Sequence, residues 1–401
     1  MVFKLAFRSI LRNRRRTAVS LAVIGLGTAA LFLANGYVAF TYSGLEQMSV
    51  EQTGHLQVAR PEVWTETGEG ERHLLDRRQQ ETLARILGEL PEVVAYGGTL
   101  SLAGIIGTDR QSTAFVAEGI DPAFAFTPWM LEEGTKLFPG DRERILLGRG
   151  MARALGAKPE DWLSLLCTTV EGAYNAASVQ VSGTFSTGTA QGDARLAVLP
   201  LSFAQSLLNT DGIEKLIVKL DRTEATDRVA AELARRLKAA GLPLQVKTWR
   251  ELSVFFKQVR TMYGAIFGFM TITIFGLVSF SVLEVMTLAF FERMRELGTA
   301  MAIGTSRGQI FAQLLSEGLL LGVFGGLLGL GLGWLMGVGL NNAHLTYTPP
   351  EMNEPVPFGV QLSLGAAFFH FLTALLSTLT STLYPAWRAA RISIVEALHH
   401  V

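Results

Sequence analysis

The chain of 401 residues has a single cysteine, Cys167, so no intrachain disulfide can form. It sits in the apolar run LSLLC, which reads as a buried strand thiol, with a reactive thiol as the alternative. Lysine nowhere follows glycine, which rules out the phosphate-cradling loop G-x-x-x-x-G-K-[ST]. Serine, histidine and acids are present, but in no G-x-S-x-G or comparable nucleophile setting, so catalysis by this chain is not expected. The six histidines are scattered, apart from the adjacent His399 and His400, and no metal is assigned. No basic face stands out, so nucleic acid is not a partner. Scarcest of all is charge, at 17% of residues against 49% hydrophobic, which makes this a membrane protein.

The charge is missing in long stretches. Thr17 to Leu45, Thr261 to Leu283 and Gly318 to Asn342 carry no acid or base. Each is long enough to cross a hydrocarbon core of about 30 Å, which takes about 20 helical residues. A fourth apolar run extends from Pro357 to Tyr384. Ahead of the first run, MVFKLAFRSILRNRRR places Phe3, Ala6, Phe7, Ile10 and Leu11 on one helical face and Lys4, Arg8, Arg12 and Arg15 on another. That pattern suits a short helix lying on an anionic inner leaflet. A cleaved signal peptide is the competing reading, but the apolar run is far longer than a signal core of about 7–15 residues. Basic residues stay inside in short loops, and the loop Ala343 to Glu354 has none. The topology is therefore four transmembrane helices with both ends in the cytoplasm.

The stretch from Glu46 to Arg260 has soluble composition and must lie outside. Alternation and turn signals make it α+β. His55 to Arg60, Glu214 to Leu220 and PLQVKTW read as strands, and Arg78 to Leu90 and Glu224 to Ala240 as helices. VVAYGGTLSLAGIIG and QSTAFVAEGI read as a hairpin turning near Thr108 and Asp109. Between the two β-α-β-like pieces, residues 121–212 form a β-rich insert. There RILLGRGMARALG gives a strand and helix, DWLSLLCTTV pairs with ASVQVSGTF, and ARLAVLPLSFAQSLL gives a strand and a helix starting near Pro200.

The connector between the second and third spans, EVMTLAFFERMRELGTAMAIGTSRGQ, concentrates the features of a functional element. ERMREL alternates acids and bases, and Ser306 with Gln309 has capping-box spacing. Ala300, Met301, Ala302 and Ile303 form an apolar patch that a solvated turn does not need, which marks a docking surface for a soluble partner. Within the spans, Gly325, Gly329, Gly333 and Gly337 recur every four residues, beside a second stripe of Gly318, Gly322 and Gly326. Such stripes admit a close helix, either in the same subunit or in a second one. Glu284 lies about 12 Å inside the membrane from Glu292, where it either reaches the interface or faces the bundle interior. His370 in the fourth span is expected to be packed with its polar atoms satisfied, a functional role being the alternative.

These motifs resemble a known family. FFERMRELGTAMAIGTSRGQ is similar to the E-R-x-R-E-[IL]-G-x-x-x-A-x-G-x-[ST] signature of FtsX-like/MacB-type permeases, the membrane subunits of type VII ABC transporters. STLYPAWRAARISIVEAL resembles the family's closing motif, LAFRSILRNRRRTAVSLAVIGLG its opening, and GIDP with ILLGRGMARALG its extracytoplasmic core. The resemblance implies mechanotransmission: two permeases, identical or paralogous, pair in a bacterial inner membrane, and a dimeric cytoplasmic ATPase carrying ATP and magnesium docks on them. Glu292, Arg293, Arg295, Glu296, Gly298, Ala302, Gly304 and Ser306 then form the coupling element. No cofactor belongs to this chain itself. Lipid, and a periplasmic carrier or adaptor, complete the implied partners.

The implied organisation is an interfacial helix over 1–16 and spans over 17–45, 261–291, 307–342 and 357–387. A porter-like domain covers 46–120 and 213–260, with a sabre-like insert over 121–212. The coupling segment is 292–306, the outer loop 343–356 and the cytoplasmic tail 388–401. The layout is most similar to that of lipoprotein-release permeases. The turn around Glu171 to Ala177, however, is shorter than the hook of the carrier-recruiting subunit. Lipoprotein release is therefore the first expectation, with efflux through an adaptor or signalling to a periplasmic enzyme as alternatives.

Overall fold

The computed structural model describes residues 6–9, 12, 14–64, 73–124, 130–348 and 355–392. His399, His400, the last part of the closing motif and Phe3, Lys4, Ile10 and Leu11 of the amino-terminal helix lie outside them.

In chain order, α1 is Arg14–Thr53, β1 Leu56–Ala59, α2 Arg77–Gly88, β2 Val93–Gly107, β3 Ser112–Ile120, β4 Met130–Gly134, β5 Arg144–Gly148 and α3 Arg149–Leu155. There follow β6 Trp162–Thr168, β7 Tyr174–Ser186, α4 Ala190–Arg195, β8 Leu196–Pro200, α5 Leu201–Leu208, β9 Lys215–Leu220, α6 Thr226–Ala239, β10 Gln245–Thr248 and α7 Trp249–Leu252. The rest of the chain forms α8 Val254–Glu292, α9 Met294–Ala302, α10 Arg307–Asn342 and α11 Leu364–Arg391. Among the described residues α1, α8, α10 and α11 are long and apolar enough to cross a membrane. α1, α8 and α10 each outrun the charge-free stretch that announces them, whereas α11 begins seven residues after Pro357 and continues past Tyr384 to Arg391.

Two compact units result, one of 1–43, 259–347 and 357–401, the other of 44–258 and 348–356. The second is a large α/β domain built on a ten-stranded sheet in the order β10-β1-β9-β2-β3-β8-β5-β7-β4, with β6 pairing β2 and β7. Pairing is antiparallel except for β3 with β8 and β5 with β7. The β2–β3 hairpin keeps its register from Thr99 opposite Ile120 to Gly107 opposite Ser112. Its length lets β2 pair with β9 at one end and β6 at the other.

Two large cores and a smaller one of Ile120, Leu137, Leu146, Phe185 and Val198 cover this sheet. One large core joins Leu56, Val58 and Val218 to Leu83 and Leu87 of α2 and to Val229, Leu233 and Leu237 of α6. The periods of 2 and 3.6 converge here, because strand and helix each turn one apolar face to the other. Asp76 starts α2 with a capping box, accepting from the Gln79 amide while the Gln79 side chain accepts from its own. The other core joins Leu100, Ile106 and Phe115 of the hairpin to Leu147, Leu165, Cys167 and Val181. Cys167 is buried there as a small apolar group. Exposed β4 and the six-residue α4 carry no clear sequence signal, and the single turn α7 carries only the capping box of Thr248 and Glu251.

In the first unit the glycine stripes lie against other helices of the same chain. A Cβ on Gly325 would stand 2.7 Å from Ile24 Cγ2, and one on Gly333 2.9 Å from Phe32, both in α1. Gly329 abuts the Gly25 carbonyl and Thr28, and Gly337 abuts Leu362. The second stripe, Gly318, Gly322 and Gly326, faces Thr382, Thr378 and Phe371 of α11. In lipid no water-driven force holds helices together, so this close approach and the dispersion contacts it allows are what bind α10 to both neighbours.

Candidate functional site

The connector is a short helix with two faces. The run of α8 ends at Glu292, and Arg293 breaks it with a non-helical backbone (φ −104°, ψ 9°) before α9 begins. On the inner face Met294, Leu297 and Met301 pack with Phe290, with Ile310 and Leu314 of α10, and with Ala386 and Ala389 of α11. Gly304, at φ +106°, lets the chain leave α9, a conformation that any Cβ would strain. Ser306 then caps α10, accepting from the Gln309 amide at 3.3 Å while its own amide donates to Gln309 Oε1 at 2.9 Å.

A charge network fixes the connector from three directions. Arg293 Nη1 donates to Glu317 Oε1 of α10 at 2.9 Å and to Ser9 Oγ at 2.7 Å, while its Nε lies 3.4 Å from Glu296 Oε2. Arg12 Nη2 reaches both oxygens of Glu296, at 2.9 and 2.8 Å. Arg16 Nη1 stands 3.8 Å from Glu292 Oε2. The Arg12 hydrogen bond holds the Glu296 carboxyl below the usual carboxylate range. At Arg293 burial opposes the charge, but Glu317 and Glu296 together outweigh it and the guanidinium stays more firmly protonated than usual.

The expected coupling residues therefore separate. Arg293 is only 13% exposed and Gly298 is buried, so both face the bundle. Glu292, Arg295, Glu296, Ala302, Gly304 and Ser306 are exposed, with Glu296 and Ser306 engaged as described. The apolar patch is narrower than expected: Met301 is buried and Ala300 half-buried, because the helical period turns Met301 inward with Met294 and Leu297. Ile303, 82% exposed, and Ala302 remain as its outward part. Arg12, read from sequence as a leaflet-binding cation, instead engages Glu296 of the connector, and Arg16 stands beside Glu292.

Within the spans, Glu284 faces outward on α8 near the exposed Phe280 and Leu288, and so does not point into this chain's own bundle. His370 is 4% exposed against Phe32 and Phe369, and among the described residues neither ring nitrogen has a hydrogen-bond partner. The expectation of satisfied packing there holds for the packing and fails for the polar atoms, because every neighbour in ring contact is aromatic. Sequence reasoning passed over Glu317, which reads as one acid at the start of an apolar span. Its partner lies 24 residues upstream, beyond any local spacing rule.

Family models match both units. The FtsX-like permease C-terminal model covers residues 266–394, and the MacB-like periplasmic core domain model covers 17–236, more than half of the chain. The chain belongs to the FtsX-like, MacB-type permeases of type VII ABC transporters. Among curated relatives, the lipoprotein-releasing system transmembrane protein LolC of Xylella fastidiosa is 26% identical over 278 residues, covering 66% of each chain. The macrolide export ATP-binding/permease protein MacB of Rhodospirillum rubrum is 25% identical over 410 residues, covering 98% of this chain and 59% of that one. The chain thus spans about three-fifths to two-thirds of the length of these relatives. The solved periplasmic region of MacB from Actinobacillus actinomycetemcomitans aligns with 52% of this chain and 95% of its own, at 14% identity and a TM-score of 0.40. This permease is accordingly a membrane protein with a domain of the periplasmic type between its first two spans.

Proposed function

We propose that this chain is the permease subunit of an ABC transporter in which a separate ATPase, carrying ATP and magnesium, seats on α9 from the cytoplasm of a bacterial cell. The observation that carries the reading is the two-faced connector. Its inner face is fixed to α10 and α11, while Ile303, Ala302 and the charged Glu292 and Arg295 remain outward. An exposed apolar side chain rimmed by both signs of charge is the chemistry of a protein interface. With the connector inside, α1 and α8 carry the large domain to the periplasm. Pairing with a second permease, in the inner membrane, completes the assembly.

The cargo is an amphiphile, with lipoprotein first because the LolC relative is named for lipoprotein release. Export through a periplasmic adaptor is the second reading, favoured by the MacB alignment along 98% of this chain.

The experiment is a detergent pull-down of the tagged chain from its native membrane, with mass spectrometry of what is retained. Co-recovery of an ATPase with a lipoprotein or its carrier is expected, whereas an adaptor in place of the carrier selects export. In the same assay E292A/R295A should lower ATPase retention about fivefold or more, the scale of truncating an interface anchor. Full retention by that variant removes the docking site from α9.

A further inference from the structure

We propose that Glu317 is a positioning residue: through Arg293 it fastens the connector to α10, so that a push on α9 is delivered to α10 and α11 instead of returning into α8. The proposal rests on the reading of α9 as the ATPase seat.

Three observations point the same way. The helical run from α8 is interrupted at Arg293, so its backbone ladder is not continuous with α9. The side chain of that same residue instead reaches across 2.9 Å to Glu317, whose carboxylate is 2% exposed about 15 Å into α10. The apolar side chains of α9 pack with those of α10 and α11 in one core, to which α8 contributes Phe290 from its last turn. A carboxylate this buried is tolerated only with its counter-charge in contact, so the pair does not separate when load is applied. Arg293 also gathers Ser9 and, through Glu296, Arg12, which brings the amino-terminal segment into the same body.

Charge pairing inside a protein could serve stability alone, so the test must read transmission. The permease is purified with the ATPase it retains, placed in nanodiscs, and compared by hydrogen exchange without nucleotide and after trapping with ATP, magnesium and vanadate. In the unsubstituted complex, trapping should alter exchange over 293–306 and also over 307–320 and 378–391. E317Q should keep the ATPase and the connector response, while the response of α10 and α11 falls about fivefold or more, the lower range of a coupling free energy.

The charge swap R293E/E317R should restore the response, and it decides the matter if E317Q does not assemble. An unchanged α10 response in E317Q overturns the proposal, as does a folded swap without it. Loss of ATPase from E317Q also overturns it, because Glu317 would then shape the docking surface and carry no motion. Absence of any ATPase on the unsubstituted chain is a different failure, that of the seat itself.

Discussion

At the scale of single residues, His55 shows how one buried polar group is made to fit. Its Nδ1 accepts the Leu220 amide at 3.1 Å, which places the ring proton on Nε2, facing Thr223 Oγ1 at 3.3 Å. Burial first, and the nearby Lys219 second, push its pKa below the ordinary 6.5, against a smaller pull from Asp221. The sign follows from the depressed folded value: the unfolded chain takes up the proton first as pH falls. The stabilisation is therefore complete above about pH 6.5 and is lost as pH drops through the folded pKa. Hydrogen exchange on the full chain, corrected for intrinsic rates, should show Leu220 losing protection between about pH 7.5 and pH 5.5. His55→Gln should flatten that dependence, and equal protection at both pH values would contradict it. Among the described residues His370 has no such partner, and two orphaned nitrogens against aromatic rings are a standing destabilisation that the surrounding packing must offset.

At the scale of elements, the glycines of α10 do work that no larger residue could do. Gly329→Leu would drive a side chain into the Gly25 carbonyl and Thr28, and should destabilise the bundle by about 1–3 kcal/mol or more, as overpacking does. The measurement is the thermal midpoint of the detergent-solubilised chain. Gly331→Leu is the control, since a Cβ there meets nothing within 4 Å, and equal effects of the two would refute the packing account.

The elements were readable where one local rule decides. Charge-free runs announced α1, α8 and α10, and Ser306 with Gln309 announced the start of α10. Alternation around Thr108 and Asp109 announced β2 and β3. Reading failed where a distant partner decides. Glu317 and Arg12 look like a stray acid and a solvated base until folding brings Arg293 and Glu296 to them. Met301 looks like part of an exposed patch until α10 and α11 cover it. Short α4, whose first turn is capped by Thr189 accepting from Gly192, lacks the length for periodicity to register.

At the scale of the whole molecule, the four spans are covered unequally. Only 11% of the apolar window of α8 is buried within the chain, against 39% for α1. Phe269, Ile272 and Phe280 of α8 point outward, with Glu284 nearby on the same helix. Under the proposed pairing of two permeases, this bare surface is where the second subunit comes nearest. Since Cys167 is the sole cysteine, a Cys167→Ser chain carrying Phe269→Cys should form a disulfide-linked dimer on mild oxidation in membranes. A cysteine at Gly331, an exposed position of α10, serves as comparison. Equal crosslinking at both positions, or none at Phe269→Cys, would place α8 in lipid.

The seam between α10 and α11 has a mechanical consequence. Thr378, Ser381 and Thr382 are buried there, yet each hydroxyl donates to a carbonyl of its own helix, Leu375, Ser377 and Thr378 respectively. Across from them stand Gly318 and Gly322, which offer no side chain to interlock. Among the described residues no hydrogen bond crosses this seam, so a small slide of one helix along the other breaks none in a medium without water to replace it, and only the close packing of the glycine faces resists it.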